Sequence, residues 1–321
     1  VRFGYNAAMQ INDTFENIIG QNSVKSTLSL YIDAFKETGR LPFINFTAEK
    51  GGGKSNLARA FRHGLRRPDG SKPPILEVNS ATIKDANQFF EQVYPTWVNA
   101  GAVLFLDELH TLPQKLQSVF LSVLEVKKDP VRMVEFDGVP YEFDFRNISF
   151  IGATTNQNLL LEPLQDRLRN VALEEYKIEE IFEIFENNLE NLVEILPCAK
   201  EEIYSCFRGN PRDAVVKAED LKTFSAANKC KEVSKQVWES FSKTMGIGPL
   251  GLNNSEIKII KAIGKKREAS LTDVASVTGF DRSFIQRSLE AILVRKNLLT
   301  IDGKRKLTAD GWRFYHKHCL A

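Results

Sequence analysis

Ala48-Glu-Lys-Gly-Gly-Gly-Lys-Ser55 is the stretch that decides the fold of this chain. The apolar run Leu41-Pro-Phe-Ile-Asn-Phe46 leads into it, and a helical pattern beginning at Asn56 leads out. A strand, a glycine-rich turn and a helix, in that order, make a phosphate cradle. Glycine N–H groups face phosphate oxygens, a lysine reaches the terminal phosphates, and a hydroxyl meets Mg²⁺. Gly51, Gly52, Gly53, Lys54, Ser55 and Asn56 are therefore candidate nucleotide contacts, with Ser55 also on the metal. The usual pattern opens on glycine where this chain has Ala48, yet three glycines remain to make the tight bend.

Outward from that turn, apolar runs at residues 43–47, 75–78, 102–106 and 148–154 alternate with helical patterns at 55–66, 86–97 and 114–126. Short buried runs separated by helices predict a parallel, doubly wound α/β sheet. Upstream, residues 1–10 read as an irregular arm, and residues 23–38 as an amphipathic helix capped by Gly39. From Lys177 to Lys243 the pattern turns helical with few β-branched runs, as in a separate lid. Met245-Gly-Ile-Gly-Pro-Leu-Gly251 is the clearest linker. The expected organisation is a nucleotide-binding domain over 1–176, a helical lid over 177–248 and a winged-helix domain over 249–321.

Gly101-Ala-Val-Leu-Phe-Leu-Asp-Glu108 supplies the second half of a nucleotide site. An apolar strand delivers Asp107 at its carboxyl end, where ligands collect in open α/β sheets. There Asp107 can hold Mg²⁺ beside Ser55, and Glu108 can polarise an attacking water. Two adjacent acids after such a strand are costly to bury unless a cation or hydrogen bonds compensate them. The run Ile148-Ser-Phe-Ile-Gly-Ala-Thr-Thr-Asn156 ends in polar groups, so Thr155 or Asn156 can meet the γ-phosphate or place the water. Arg167, in Glu162-Pro-Leu-Gln-Asp-Arg-Leu-Arg169, suits an arginine finger offered to a neighbouring subunit; a plain surface arginine is the competing reading. Gly209-Asn-Pro-Arg212 puts Arg212 just inside a helix, with Asn210 as N-cap and Pro211 at its first position. From there Arg212 can reach phosphates out of the lid. Asp137-Gly138, within residues 131–145, signals a two-residue hairpin that can touch a partner protein or DNA; an edge hairpin with no partner is the competing reading.

The last module reads helix, helix, turn, helix, wing. Its helices are expected at 254–263, 271–277 and 283–296, with a hairpin at 298–307 whose tip is Asp302-Gly303. Arg282, Arg287, Lys304, Arg305 and Lys306 sit where such modules meet phosphates and grooves, although winged helices also dock proteins. Charge agrees with DNA. The 321-residue chain has a net charge of +2, but from Gly251 onward 14 Lys and Arg face 7 Asp and Glu. A basic module on an acidic body favours a polyanion as partner. Cys198, Cys206, Cys230 and Cys319 show no paired or metal-ligand spacing, and no run approaches the ~18 apolar residues of a membrane span. A reduced, cytoplasmic protein is the expectation.

Together these segments resemble the RuvB family of AAA+ ATPases, hexameric motors that drive Holliday-junction branch migration. The similarity runs from Phe15 to the C-terminus. Its most specific pieces are residues 15–21, Leu106-Asp-Glu-Leu-His110, Gly152-Ala-Thr-Thr155, Pro163-Leu-Gln-Asp-Arg167 and the winged-helix ending. The resemblance implies that residues 15–21, with Ile18 and Ile19, lie against adenine. It implies that Lys54, Ser55, Asp107 and Glu108 form the catalytic centre on ATP and Mg²⁺, that Arg167 is the trans finger and that Arg212 is the lid sensor. It matches the 131–145 hairpin to the element that docks the junction-binding partner RuvA. Ala48-Glu-Lys50 departs from the family's Gly-Pro-Pro, Gln165 stands where arginine is usual, and the hairpin is divergent. The function expected is an ATP-driven ring motor on duplex or junction DNA. The alternatives are an AAA+ loader or initiator that places another protein on DNA, and a scaffold that binds nucleotide without turning it over.

Overall fold

A computed structural model describes residues 11–125 and 128–320. The expected arm at residues 1–10 lies outside these, as does the last residue of the helix expected at 114–126. Contacts divide the chain into two units, the first ending at Glu180 and the second beginning at Ile181.

The first unit is built on a five-stranded parallel sheet. Its strands are β1 (Ile44–Thr47), β2 (Ile75–Asn79), β3 (Val103–Asp107), β6 (Ser149–Thr154) and β7 (Arg169–Ala172), in the order β2-β3-β6-β1-β7. An antiparallel hairpin, β4 (Val131–Phe136) and β5 (Val139–Asp144), is inserted between β3 and β6. Successive side chains of a strand point to opposite faces, and β3 shows why both faces are apolar. Val103 and Phe105 pack with Ile44, Phe46, Leu57 and Phe61 against α1 (Asn22–Thr38) and α2 (Lys54–Gly64). Leu104 and Leu106 pack on the other face with Phe89, Trp97, Phe120 and Phe143. Burying one such side chain stabilises the fold by about 1.5–3 kcal/mol. β7, the sheet's edge, was not expected: Arg169-Asn-Val-Ala172 shows one buried residue, Val171, among three exposed ones.

α1 ends as expected on Gly39, in the left-handed region at φ 67°. At the hairpin, Asp137 and Gly138 have φ 50° and 77°, with Phe136 opposite Val139, which is the two-residue turn predicted. The expected helix at 86–97 is present, running from Ala86 to Asn99 through one widened turn over Phe89–Val93. Pro95 lacks the N–H needed to continue a regular ladder, and the widened turn accommodates it.

The second unit carries both remaining modules. The helices Ile178–Asn188, Pro197–Cys206, Pro211–Asn228 and Lys235–Met245 pack through an aromatic centre in which Phe185 meets Phe207 at 5.3 Å and Trp238 meets Phe241 at 5.1 Å. A short parallel pair, β8 (Glu194–Ile195) with β9 (Glu232–Val233), was not legible in the sequence. The winged helix follows, with helices at Asn254–Lys266 and Leu271–Thr278 and a third helix running from Arg282 to Arg295 through one widened turn. Its sheet has the order β10-β12-β11: β10 (Glu268–Ala269), β11 (Leu299–Asp302) and β12 (Lys304–Leu307).

The linker at 245–251 is a fitted joint. Gly251 has φ 71°, and a Cβ there would lie 2.1 Å from the Cys206 carbonyl oxygen, so only glycine permits this backbone approach. Arg208 donates to the Gly251 carbonyl and to Glu256 Oε2 at 2.7 Å. Lys296 Nζ donates to the Ser205 and Phe207 carbonyls at 2.7 and 3.0 Å. Burial pushes the Lys296 ammonium below its ordinary pKa.

Candidate nucleotide site and nucleic-acid interface

The carboxyl ends of β1, β3 and β6 bring the first cluster together. Gly51 and Gly53 take φ 83° and 87°, which turns the chain sharply out of β1 into α2. A Cβ on Gly52 would meet the Glu49 carbonyl at 3.1 Å, and one on Gly53 would meet the Tyr176 hydroxyl at 3.0 Å. Lys54 opens α2 with its side chain only 6% exposed. Its Nζ is 3.6 Å from both Asp107 Oδ1 and Glu108 Oε1, too far for hydrogen bonds. Among the described residues this buried ammonium has no hydrogen-bond partner. A buried charged donor is expensive to leave unsatisfied, and the oxygens of an anion would satisfy it. Ser55 and Asn56, next on α2, are exposed.

Asp107 is the last residue of β3 and accepts the Glu108 N–H at 3.0 Å. Glu108 itself lies in the left-handed region, φ 51° and ψ 47°, a conformation costly to a residue with a Cβ. Its carbonyl anchors Thr111, by both backbone N–H and hydroxyl at 2.8 Å. Its carboxylate lies beside the start of α2, with Oε1 3.6 Å from Lys54 Nζ. Thr155 Oγ1 donates to Glu108 Oε2 at 2.9 Å, so Lys54, Asp107, Glu108 and Thr155 form one cluster. Asn156 is exposed just beyond.

A carboxamide clamp missed by sequence reasoning closes the side of this site. Gln21 is 3% exposed at φ 57°. Its Nε2 donates to the Glu174 carbonyl at 2.8 Å, and its Oε1 accepts the Glu174 N–H at 2.9 Å. The segment that carries Ile18 and Ile19 is thereby tied to the chain leaving β7. Phe15 is buried there, Ile18 packs on the same core, and Lys25 Nζ donates to the Ile18 carbonyl. Tyr176 follows two residues after Glu174. Burial first, then the nearby Glu180 charge, push its phenol above the ordinary pKa.

Two arginines complete the set of residues expected at the site. Arg167 is half-buried, with Nε donating to the Leu121 carbonyl at 3.0 Å and Nη1 to the Pro163 carbonyl at 2.6 Å. Its guanidinium is thus held in one direction by its own chain. Arg212 is exposed in the second unit, and its N–H is capped by Asn210 at 2.9 Å with Pro211 at the first helical position, as expected.

On the winged helix, Arg282, Arg287, Lys304 and Lys306 are exposed. Arg305 corrects the expectation that all five basic positions face outward. It is 7% exposed, and its Nε and Nη2 meet Glu290 at 2.8 and 3.1 Å. The reason is the two-residue period of β12: Lys304 and Lys306 share one face, where both approach Glu268, and Arg305 must take the other. The 131–145 hairpin leaves Met133 and Val139 exposed, 61% and 48%, while Val134, Phe136 and Phe143 are buried beneath.

Residues 11–173 match the family model of the Holliday junction DNA helicase RuvB P-loop domain, and residues 249–316 match that of the RuvB C-terminal winged helix domain. Among similar curated proteins is the Holliday junction branch migration complex subunit RuvB of Mycoplasmopsis pulmonis, 25% identical over 305 residues, covering 92% of this chain and 94% of that protein. The subunit of the same name from Ehrlichia ruminantium (strain Gardel) is 26% identical over 299 residues, covering 92% and 88%. In structure, the fold is similar to that of the Thermotoga maritima RuvB Holliday junction branch migration motor, with a TM-score of 0.74, 23% identity, and coverage of 97% of this chain and 99% of that one. With half of its length matched by one family model and the winged helix by a second, the chain belongs to the RuvB family.

Proposed function

We propose that this protein is an ATP-driven DNA motor that moves Holliday-junction branches. The observation that carries the reading is the buried Lys54 ammonium, without a hydrogen-bond partner, 3.6 Å from two carboxylates at the mouth of a glycine turn. The oxygens of a triphosphate would accept from Lys54, and the N–H groups opening α2 add favourable donors and dipole. The acidic pair beside Lys54 is the donor set a hard divalent cation takes. Asp107 and Ser55 would hold Mg²⁺, which neutralises phosphate charge when bound.

In this reading Gly51, Gly52, Gly53 and Asn56 line the phosphates while Ile18 and Ile19 face the base. Lys54 grips the terminal phosphates, Glu108 takes a proton from the attacking water, and Thr155 and Asn156 steer that water or the γ-phosphate. Arg167 serves the neighbouring protomer's site, so a closed ring, a hexamer by family, is part of the chemistry. Arg212 reports occupancy from the lid. The functional domains run 1–176, 177–248 and 249–321, and the protein works in the cytoplasm. Arg282, Arg287, Lys304 and Lys306 grip duplex DNA through phosphates. The exposed Met133 and Val139 of the hairpin suit a recruiting protein of RuvA type.

A four-way junction with labelled arms tests the function. Junction resolution into duplexes that requires ATP hydrolysis is the expected result. Hydrolysis stimulated by DNA without any branch movement would instead identify a loader.

A further inference from the structure

One polar side chain beside the cluster has no part in the reading above. His110 follows the acidic pair by two residues, and its side chain is 15% exposed. Its Nδ1 is 2.8 Å from Thr154 Oγ1 and 3.4 Å from Glu108 Oε2. Thr154 is fully buried at the end of β6, and its hydroxyl oxygen accepts the Asn156 N–H at 3.1 Å. A single ring nitrogen therefore touches both the acid at the end of β3 and the polar turn at the end of β6.

The neighbours assign the tautomer. A carboxylate oxygen only accepts, so a lone pair on Nδ1 would face the lone pairs of Glu108 Oε2. An Nδ1–H instead donates to Thr154 Oγ1 and leans toward Glu108, turning repulsion into attraction. The backbone of Glu108 is already fixed by its left-handed conformation and by Thr111. What remains to be set is the direction of its carboxylate. Lys54 contributes to that now at 3.6 Å, but it is the group that must turn toward phosphate. Thr155 and His110 are then the side chains left to aim the acid.

We propose that His110 is a positioning residue for hydrolysis, its Nδ1–H holding Glu108 in register with the Thr155–Asn156 turn. It acts through Glu108 and Thr154, so its loss lowers turnover rather than nucleotide binding. The proposal rests on Glu108 being the group that activates water.

The test uses the full chain assembled on DNA, with kcat and KM for ATP, nucleotide affinity and melting temperature measured for His110→Ala, His110→Asn and Glu108→Gln. His110→Ala is expected to lower kcat about 10- to 100-fold, part of the ~10²–10⁴ that a positioned base contributes. Affinity and melting temperature stay at the wild-type values. His110→Asn restores most of the rate, because its Nδ2–H can stand where Nδ1–H stood. Wild-type turnover in His110→Ala overturns the proposal. So does an alanine variant that loses affinity or melting temperature along with turnover, or an asparagine variant no better than alanine. Glu108→Gln separates the layers: if it still hydrolyses ATP, the underlying assignment of the base fails as well. If it is inactive while His110→Ala is not, only the role of His110 fails.

Discussion

Lys54 shows how one side chain can state the business of a site. Its helix position follows from the glycine turn before it, and its side chain is buried at the start of α2. No hydrogen bond satisfies its charge among the described residues. Charge-assisted bonds to phosphate would supply about 1.5–3 kcal/mol each. Lys54→Met should therefore weaken nucleotide binding by roughly 100-fold, the product of two such bonds lost at the lower end of that range. Calorimetric titration with a non-hydrolysable analogue measures it, and unchanged affinity would contradict the role. Most of this scale was legible: the cradle, Asp107 and Glu108 carry their chemistry in adjacent letters. Gln21 and Tyr176 were not, because Gln21 finds its partners 153 residues away. Nothing in a local pattern marks a carboxamide that pairs with a distant backbone.

At the scale of elements, the wing separates charges that composition lumps together. β12 reads Lys-Arg-Lys-Leu, and its alternation sends Lys304 and Lys306 out and Arg305 in. The period was available in the sequence; the buried Glu290 that makes an inward arginine tolerable was not. Breaking a buried pair by deleting one partner costs about 3–5 kcal/mol, since the other charge is stranded. Arg305→Ala is thus expected to lower the stability of the winged helix by that amount in denaturant unfolding. Lys304→Ala with Lys306→Ala should leave stability nearly unchanged and reduce the slope of log K for DNA against log salt by about two. A stable Arg305→Ala that loses the salt slope would reverse the two assignments. Edge strands such as β7 and the pair β8–β9 escaped the sequence for a related reason. They carry too few buried residues to show a period.

Over the whole molecule, fold class was the most legible property, because each apolar run, each turn and the final wing point the same way. The linker that ends at Gly251 is marked in the sequence, but its packing is not. Glycine and proline mark a break in helix, and they do not say whether the chain there is loose or pressed against a neighbour. Here Arg208, Glu256 and Lys296 fasten the helical segment to the winged helix within the second unit. In the proposed function, such a fastening would let a change sensed at Arg212 reach the basic face of the winged helix without dissipating in a tether.

In the proposed motor one protomer grips the triphosphate through Lys54 and its neighbour completes the site through Arg167. Mixing two inactive variants separates these contributions, because Lys54→Ala and Arg167→Ala would disable opposite sides of the same interface. Alone, each should hydrolyse ATP on junction DNA at a small fraction of the wild-type rate, a finger contributing ~10³–10⁵. Mixed, they should regain turnover wherever an intact Lys54 faces an intact Arg167. Mixed rings as inactive as either variant, or Arg167→Ala turning over at the full rate alone, would contradict the account.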